Sequence, residues 1–88
     1  MNLIKEVEVK LINGSLRKEY VNQELDNDCV VDFTLYAFKK KEDVQMSVYD
    51  IQVFNKEGRY MTLNDMEYIN LINEIINQIT WVDDNRYE

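Results

Sequence analysis

The sequence contains no histidine and no proline, a single cysteine (Cys29), a single alanine (Ala37) and two glycines (Gly14, Gly58). Each scarcity excludes a class of chemistry. Without histidine the commonest general base and metal ligand is missing, and no nucleophile–histidine triad can form. A zinc site needs several Cys or His ligands, and one thiol does not supply them. Neither glycine stands in a phosphate-binding loop pattern. One cysteine excludes an internal disulfide and fits a reducing compartment. No apolar run approaches the ~18 residues of a membrane span. The start of the chain, Met1-Asn2-Leu3-Ile4-Lys5-Glu6, lacks the basic-then-apolar pattern of a signal peptide. The expectation is a cytoplasmic protein with no cofactor, no metal and no enzymatic activity.

What is present points to one globular domain covering residues 1–88. The 88 residues are 45% apolar, with six Tyr, three Phe and one Trp, enough for a packed core. A chain this short buries roughly 60–65% of its unfolded surface, so its stability margin is thin. The net charge of −7 argues against nucleic acid, whose binders neutralise phosphates, and against anionic membranes. It favours a partner protein with a basic surface. Ile, Asn, Lys and Tyr are abundant, a bias of AT-rich codons that suggests a low-GC bacterium, its phages or a mobile element.

Leu3 to Ile12 alternates, with Leu3, Val7, Val9 and Leu11 on one side and Glu6, Glu8 and Lys10 on the other, as in a half-buried strand. Asn13-Gly14 follows, the pair best suited to a type I′ turn with positive φ at both positions. A two-residue loop would set Leu11 opposite Leu16 and Val7 opposite Tyr20. It would also set Lys10 against Arg17 and Glu8 against Glu19, pairs of like charge. Leu16 to Leu25 alternates weakly and reads as a charged edge strand, with a short helix after Ser15 as the competing assignment. Asp26-Asn27-Asp28 is a turn. Cys29 to Phe38 is the most apolar strand, with Cys29, Val31, Phe33, Leu35 and Ala37 on one face. Val44, Met46 and Val48 share one parity and Ile51 and Val53 the other. A one-residue bulge near Tyr49-Asp50 would return both sets to the core. Asn55 to Gly58 is a hairpin loop, and a short strand ends at Met61.

A helix is expected over about 63–80, opened by Thr62-Leu63-Asn64-Asp65 as a capping-box-like start, with Met61 and Met66 at the staple positions. Its apolar residues Ile69, Ile72, Ile76 and Ile79, widened by Tyr68, Leu71 and Ile75, span about half the helical wheel. The tail over 83–88 reads as loose. The fold class is α+β: an antiparallel sheet of four to five strands over about 2–61, with one C-terminal helix packed on one face.

Asp26/Asp28 and Asp83/Asp84 could hold a hard cation in principle, but turn chemistry explains them better: no glycine and no bidentate Glu complete a calcium loop. Cys29, on an apolar strand face with no adjoining base, reads as structural. Lys39-Lys40-Lys41, followed at once by Glu42 and Asp43, reads as a solvated turn.

Three surfaces remain for binding. Residues 60–88 hold six acidic side chains and one basic, a net of −5, against −2 for residues 1–59. The candidate partner-binding residues are therefore on the polar arc of the helix and beyond it: Glu67, Asn70, Glu74, Asn77, Trp81, Asp83 and Asp84. Trp81 either folds back onto the core, the favoured reading, or stands exposed as an interface anchor. Some of Tyr36, Phe38, Tyr49 and Phe54 would remain on the uncovered sheet face, where a homodimer could form. In size, charge and composition the chain resembles the small acidic proteins that phages use against host defence, including anti-restriction and anti-CRISPR inhibitors. That resemblance implies a non-enzymatic inhibitor occupying a basic surface of a target protein, and no motif carries it to particular residues. The competing expectation is a structural homo-oligomeric subunit assembled through an edge strand or the open sheet face.

Overall fold

A computed structural model describes residues 1–84. The chain order is β1 (Val7–Ile12), β2 (Ser15–Glu24), β3 (Val30–Lys40), β4 (Asp43–Phe54), β5 (Tyr60–Met61), α1 (Asp65–Asn77) and β6 (Ile79–Asp84). Among the described residues they form one six-stranded sheet, order β5-β4-β3-β2-β1-β6, antiparallel except for the parallel β1–β6 pair. The α+β class holds, with one strand more than expected.

β3 and β4 are the long central pair. Val31 faces Val53, Leu35 faces Val48 and Ala37 faces Met46. The expected bulge is present: the register shifts between Asp32 and Thr34, opposite Asp50, whose φ is 54°. The extra residue restores Ile51 and Val53 to the core side. β2 carries its own bulge between Tyr20 and Gln23, with Asn22 at φ 54° and its N–H donated to Asp32 Oδ1 at 2.8 Å. Lys18 shares the core-side face of β2 with Leu16 and Tyr20, and its ammonium lies 5.2 Å from the Tyr20 ring centroid. The cation thus stays at the rim of the apolar layer.

The Asn13-Gly14 turn forms as expected, with φ of 54° and 85°. Beyond it the first hairpin departs from the expected ladder. β1 and β2 share the Ile12–Ser15 pair, and the segments beyond their other ends meet at the Leu3–Leu25 bridge, where Ile4 N donates to Glu24 O at 3.0 Å. The like-charge pairs Lys10–Arg17 and Glu8–Glu19 are not formed. β1 takes its ladder from β6 instead, with Val7 beside Ile79 and Ile12 beside Asp84. An alanine at Gly14 would meet only Lys39 Cβ, at 3.7 Å, so the cost of Gly14→Ala comes from the positive φ rather than a clash. It is expected to destabilise by about 1 kcal/mol, read from the urea midpoint at unchanged slope.

The helix differs from expectation at both ends. The N-cap is Asn64, not Thr62. Asn64 Oδ1 accepts from Glu67 N at 2.8 Å, and Glu67 Oε1 accepts from Asn64 N at 3.1 Å. This closed box needs Glu at the third position, and counted from Thr62 the third position holds only the shorter Asp65. The residue before the cap is therefore buried Leu63, and the staple positions are Leu63 and Tyr68, not Met61 and Met66. At the other end the helix stops at Asn77 rather than near residue 80. The Gln78 side chain clasps the backbone of Leu3, accepting from Leu3 N at 2.8 Å and donating to Leu3 O at 2.6 Å. Gln78 O accepts from Val7 N at 3.0 Å. The chain then enters β6. Asp83 and Asp84, expected in a loose tail, belong to this strand; the rest of that tail, 85–88, lies outside the described residues.

The core gathers Val7, Val9, Val31, Phe33, Leu35, Val48 and Val53 from the sheet against Leu63, Leu71 and Ile75. Phe33 stacks on Tyr20, with centroids 5.2 Å apart. Burial raises the Tyr20 phenol above the ordinary 10.0. A hydrogen bond with Tyr60 raises that of Tyr68. Both shifts favour the neutral phenol in the folded state. Their contribution is complete below pH 10.0 and is lost as pH climbs through the raised values. Stability is expected to fall in that alkaline window, as tyrosinate absorbance and circular dichroism followed together would show.

Candidate interaction surface

The residues singled out from the sequence fall on two elements, and most of their charges already serve the fold. Glu67 closes the helix N-cap. Glu74 Oε2 lies 3.1 Å from the Met1 ammonium. Asp83 Oδ2 lies 3.1 Å from Lys39 Nζ. The Asp84 carbonyl accepts from Asn13 N at 3.3 Å. Asn70 and Asn77 are exposed on α1. Trp81 does not fold back onto the core as expected: it is exposed, on a strand rather than at a helix end. It sits in β6 beside Val9, at 36% exposure, on the side of the parallel ladder shared with Ile79. The acidic arc is thus divided between helix and edge strand.

The other sequence candidates resolve into structural roles. Cys29 is buried, its Sγ 3.5 Å from Met61 Sδ. Asp26 Oδ1 accepts from Asn2 N at 3.1 Å, Asn27 Oδ1 accepts from Cys29 N at 3.3 Å, and Asp28 turns the chain at φ 65°. Among the described residues, no three His, Cys, Asp or Glu side chains come together in a way that could hold a metal ion. No helix among them is long and apolar enough to cross a membrane. On the outer sheet face Tyr36 packs on Phe38 at 5.6 Å, and Phe54 meets Tyr60 edge-on at 6.0 Å. Arg17 Nε donates to Tyr49 Oη at 2.8 Å. That bond raises the guanidinium pKa.

A different surface was missed by sequence reasoning. β5 pairs only with Val53 and Phe54 of β4. The rest of β4, Asp43 to Gln52, has no strand on its outer side among the described residues. Beside this edge runs a groove of about 540 Å³, between Val48, Tyr49, Asp50 and Ile51 of β4 and Asp65, Tyr68, Ile69 and Ile72 of α1. Ile69 is 54% exposed, and Met66, one turn away, is 65% exposed. Ile4 and Val21 are as exposed elsewhere, but Ile69 and Met66 adjoin each other beside a groove, and contiguous exposed apolar side chains are more informative than scattered ones. β4 and α1 contain no Lys or Arg, while Asp43, Asp50, Asp65, Glu67 and Glu74 all belong to them. The helical wheel held a signal for this surface. An apolar arc covering half the circumference exceeds what a single sheet face covers, and the most deeply buried helix positions are Leu71 and Ile75. Ile69 lies to one side of them.

No known protein decides between these surfaces. No family model, no curated protein and no solved structure matches the chain.

Proposed function

We propose that the protein is a non-enzymatic binding module that occupies a basic surface of another protein, an inhibitor of the kind phages and mobile elements direct against host defence, such as anti-restriction or anti-CRISPR proteins. One observation supports this most: an open sheet edge and exposed apolar helix residues border a common groove whose only charged lining residues are Asp50 and Asp65. Apolar side chains supply affinity and the carboxylates orient a cationic partner. The groove replaces the polar arc of α1 as the centre of the proposed interface, because Glu67, Glu74 and Asp83 are already engaged within the chain.

Capture from cells of the native source tests the proposal. The tagged wild type should retain one protein in near-stoichiometric amount, released as salt rises. Ile69→Glu, at an exposed position the fold tolerates, should lose it. Equal retention of that protein by Ile69→Glu would count against the groove. Light scattering that finds no monomer at any dilution would favour the homo-oligomeric alternative.

A further inference from the structure

We infer that the occupant of the α1–β4 groove is an extended segment of a partner protein that adds as a strand to β4 along Val44–Tyr49, with a Lys or Arg at one end held by Asp50 and Asp65. This rests on the binding-module reading and specifies how the module binds.

The edge itself argues for strand addition. An unpaired strand presents a row of N–H and C=O groups, and natural sheets blunt such rows with charge, bulges or cover. β4 is uncovered over Asp43 to Gln52, and Val44 to Tyr49 has no charged residue. Its one bulge lies at the far end, at Asp50. The bulge limits the regular stretch to about six residues, the usual length of a strand. An added strand would direct alternate side chains to the helix side. There they would meet Val48, Ile51, Ile69 and Ile72, a lining that suits branched aliphatic residues. An extended peptide laid between an edge strand and a helix is an established recognition geometry.

Charge selects the occupant. A second copy would bring its own Asp43 and Asp50 against those of the first, in a chain of net charge −7. Like charges placed across a ladder oppose pairing. A basic segment meets the opposite situation: β4 and α1 carry no cation of their own, and Arg17 of β2, which acts on Asp50 through space, has its Nε hydrogen bond directed to Tyr49 Oη. The β6 edge is less suited: its outer residues end in Asp83 and Asp84, and Asp83 is paired with Lys39.

The probe is a displayed library of random peptides of about ten residues, long enough for one strand, selected on the full-length protein. Enriched peptides should alternate aliphatic residues and carry Lys or Arg near one end. A synthetic winner should shift the amide resonances of Val44–Tyr49 and the methyl resonances of Ile69 and Ile72. N-methylation of alternate peptide amides, which removes two or three ladder bonds, should weaken it about tenfold or more. The double variant Asp50→Asn, Asp65→Asn should bind several-fold more weakly with a flatter salt dependence. Asn tolerates the positive φ at residue 50, so this variant keeps its fold, checked by its amide spectrum. Absence of enrichment, shifts confined to β6 or the outer sheet face, or indifference to N-methylation would each overturn strand addition. If the cellular partner is still captured and still lost with Ile69→Glu in that case, the binding-module reading stands and only the mode is wrong.

Discussion

Replacing Phe33 by alanine is expected to remove about 4 kcal/mol of stability. The ring is 2% exposed, stacks on Tyr20 and lies on β3 across from the β4 bulge, where the register shifts. Neighbouring strands are held by ladders on both sides of β3, so the cavity cannot collapse easily. A domain of this size has a total stability of roughly 4–13 kcal/mol, so the loss takes a third of it or more. The variant should therefore unfold at a urea midpoint lower by more than about 1 M, on the order of the loss divided by a slope of about 1–3 kcal/mol/M. Tyr36→Ala supplies the contrast. Tyr36 is on the same strand with opposite parity, is exposed, and touches Phe38 on the uncovered face. Its loss is expected to cost about 1 kcal/mol or less. Equal midpoints for the two variants would mean that the inner and outer faces of the sheet are wrongly assigned.

The second large effect concerns β6. A chain ending at Gln78 would lack the strand that supplies the β1 ladder. β1 would keep the Ile12–Ser15 pair and the Val7 N to Gln78 O bond, with Val7, Val9 and Leu11 exposed along one side. Buried Ile79 would go as well. Exposing three aliphatic side chains and losing a fourth costs about 1.5–3 kcal/mol each when complete, comparable to the roughly 4–13 kcal/mol a domain of this size holds. The truncated chain should show no cooperative thermal transition by circular dichroism, whereas the full chain should show one, reported also by its single tryptophan, Trp81. A truncated chain that melts cooperatively at the full-length temperature would contradict the role given to β6.

The elements most legible in the sequence were those fixed by local chemistry. Asn13-Gly14 announced its turn, because few residue pairs accept positive φ twice. The parity change from Val48 to Ile51 announced the bulge, because a strand with one buried face cannot switch sides without an extra residue. The apolar set of β3 appeared intact at Val31, Phe33, Leu35 and Ala37, with buried Cys29 just before the strand. What escaped depended on distant parts of the chain. Ile79-Thr80-Trp81-Val82 is a run of β-branched and aromatic residues, a strand signal. Ile79 also fits the helical period, and only its place beside Val7 decides the matter. Trp81 falling on the polar arc of the wheel was the local sign that the helix had ended. The hairpin register was right at its first pair and failed beyond it, because β1 had a second available partner that the pattern of β1 and β2 alone does not contain.

The candidate site shows the same division. Sequence charge located the acidic half of the chain, yet not which carboxylates were free to act. Glu67 is drawn into the helix cap, Glu74 to the amino terminus and Asp83 to Lys39. The groove between Ile69 and Val48 joins residues about twenty positions apart, and its openness follows from β5 being only two residues long. Neither fact has a periodic signature.

Amide hydrogen exchange of the free protein at several concentrations tests most directly whether the β4 edge is open for a partner. The outward-facing amides between Val44 and Tyr49 should exchange fast at every dilution, while those of β3 stay protected. Protection of those same β4 amides that grows with concentration would show the edge closed by a second copy, and the proposed way of working would fail.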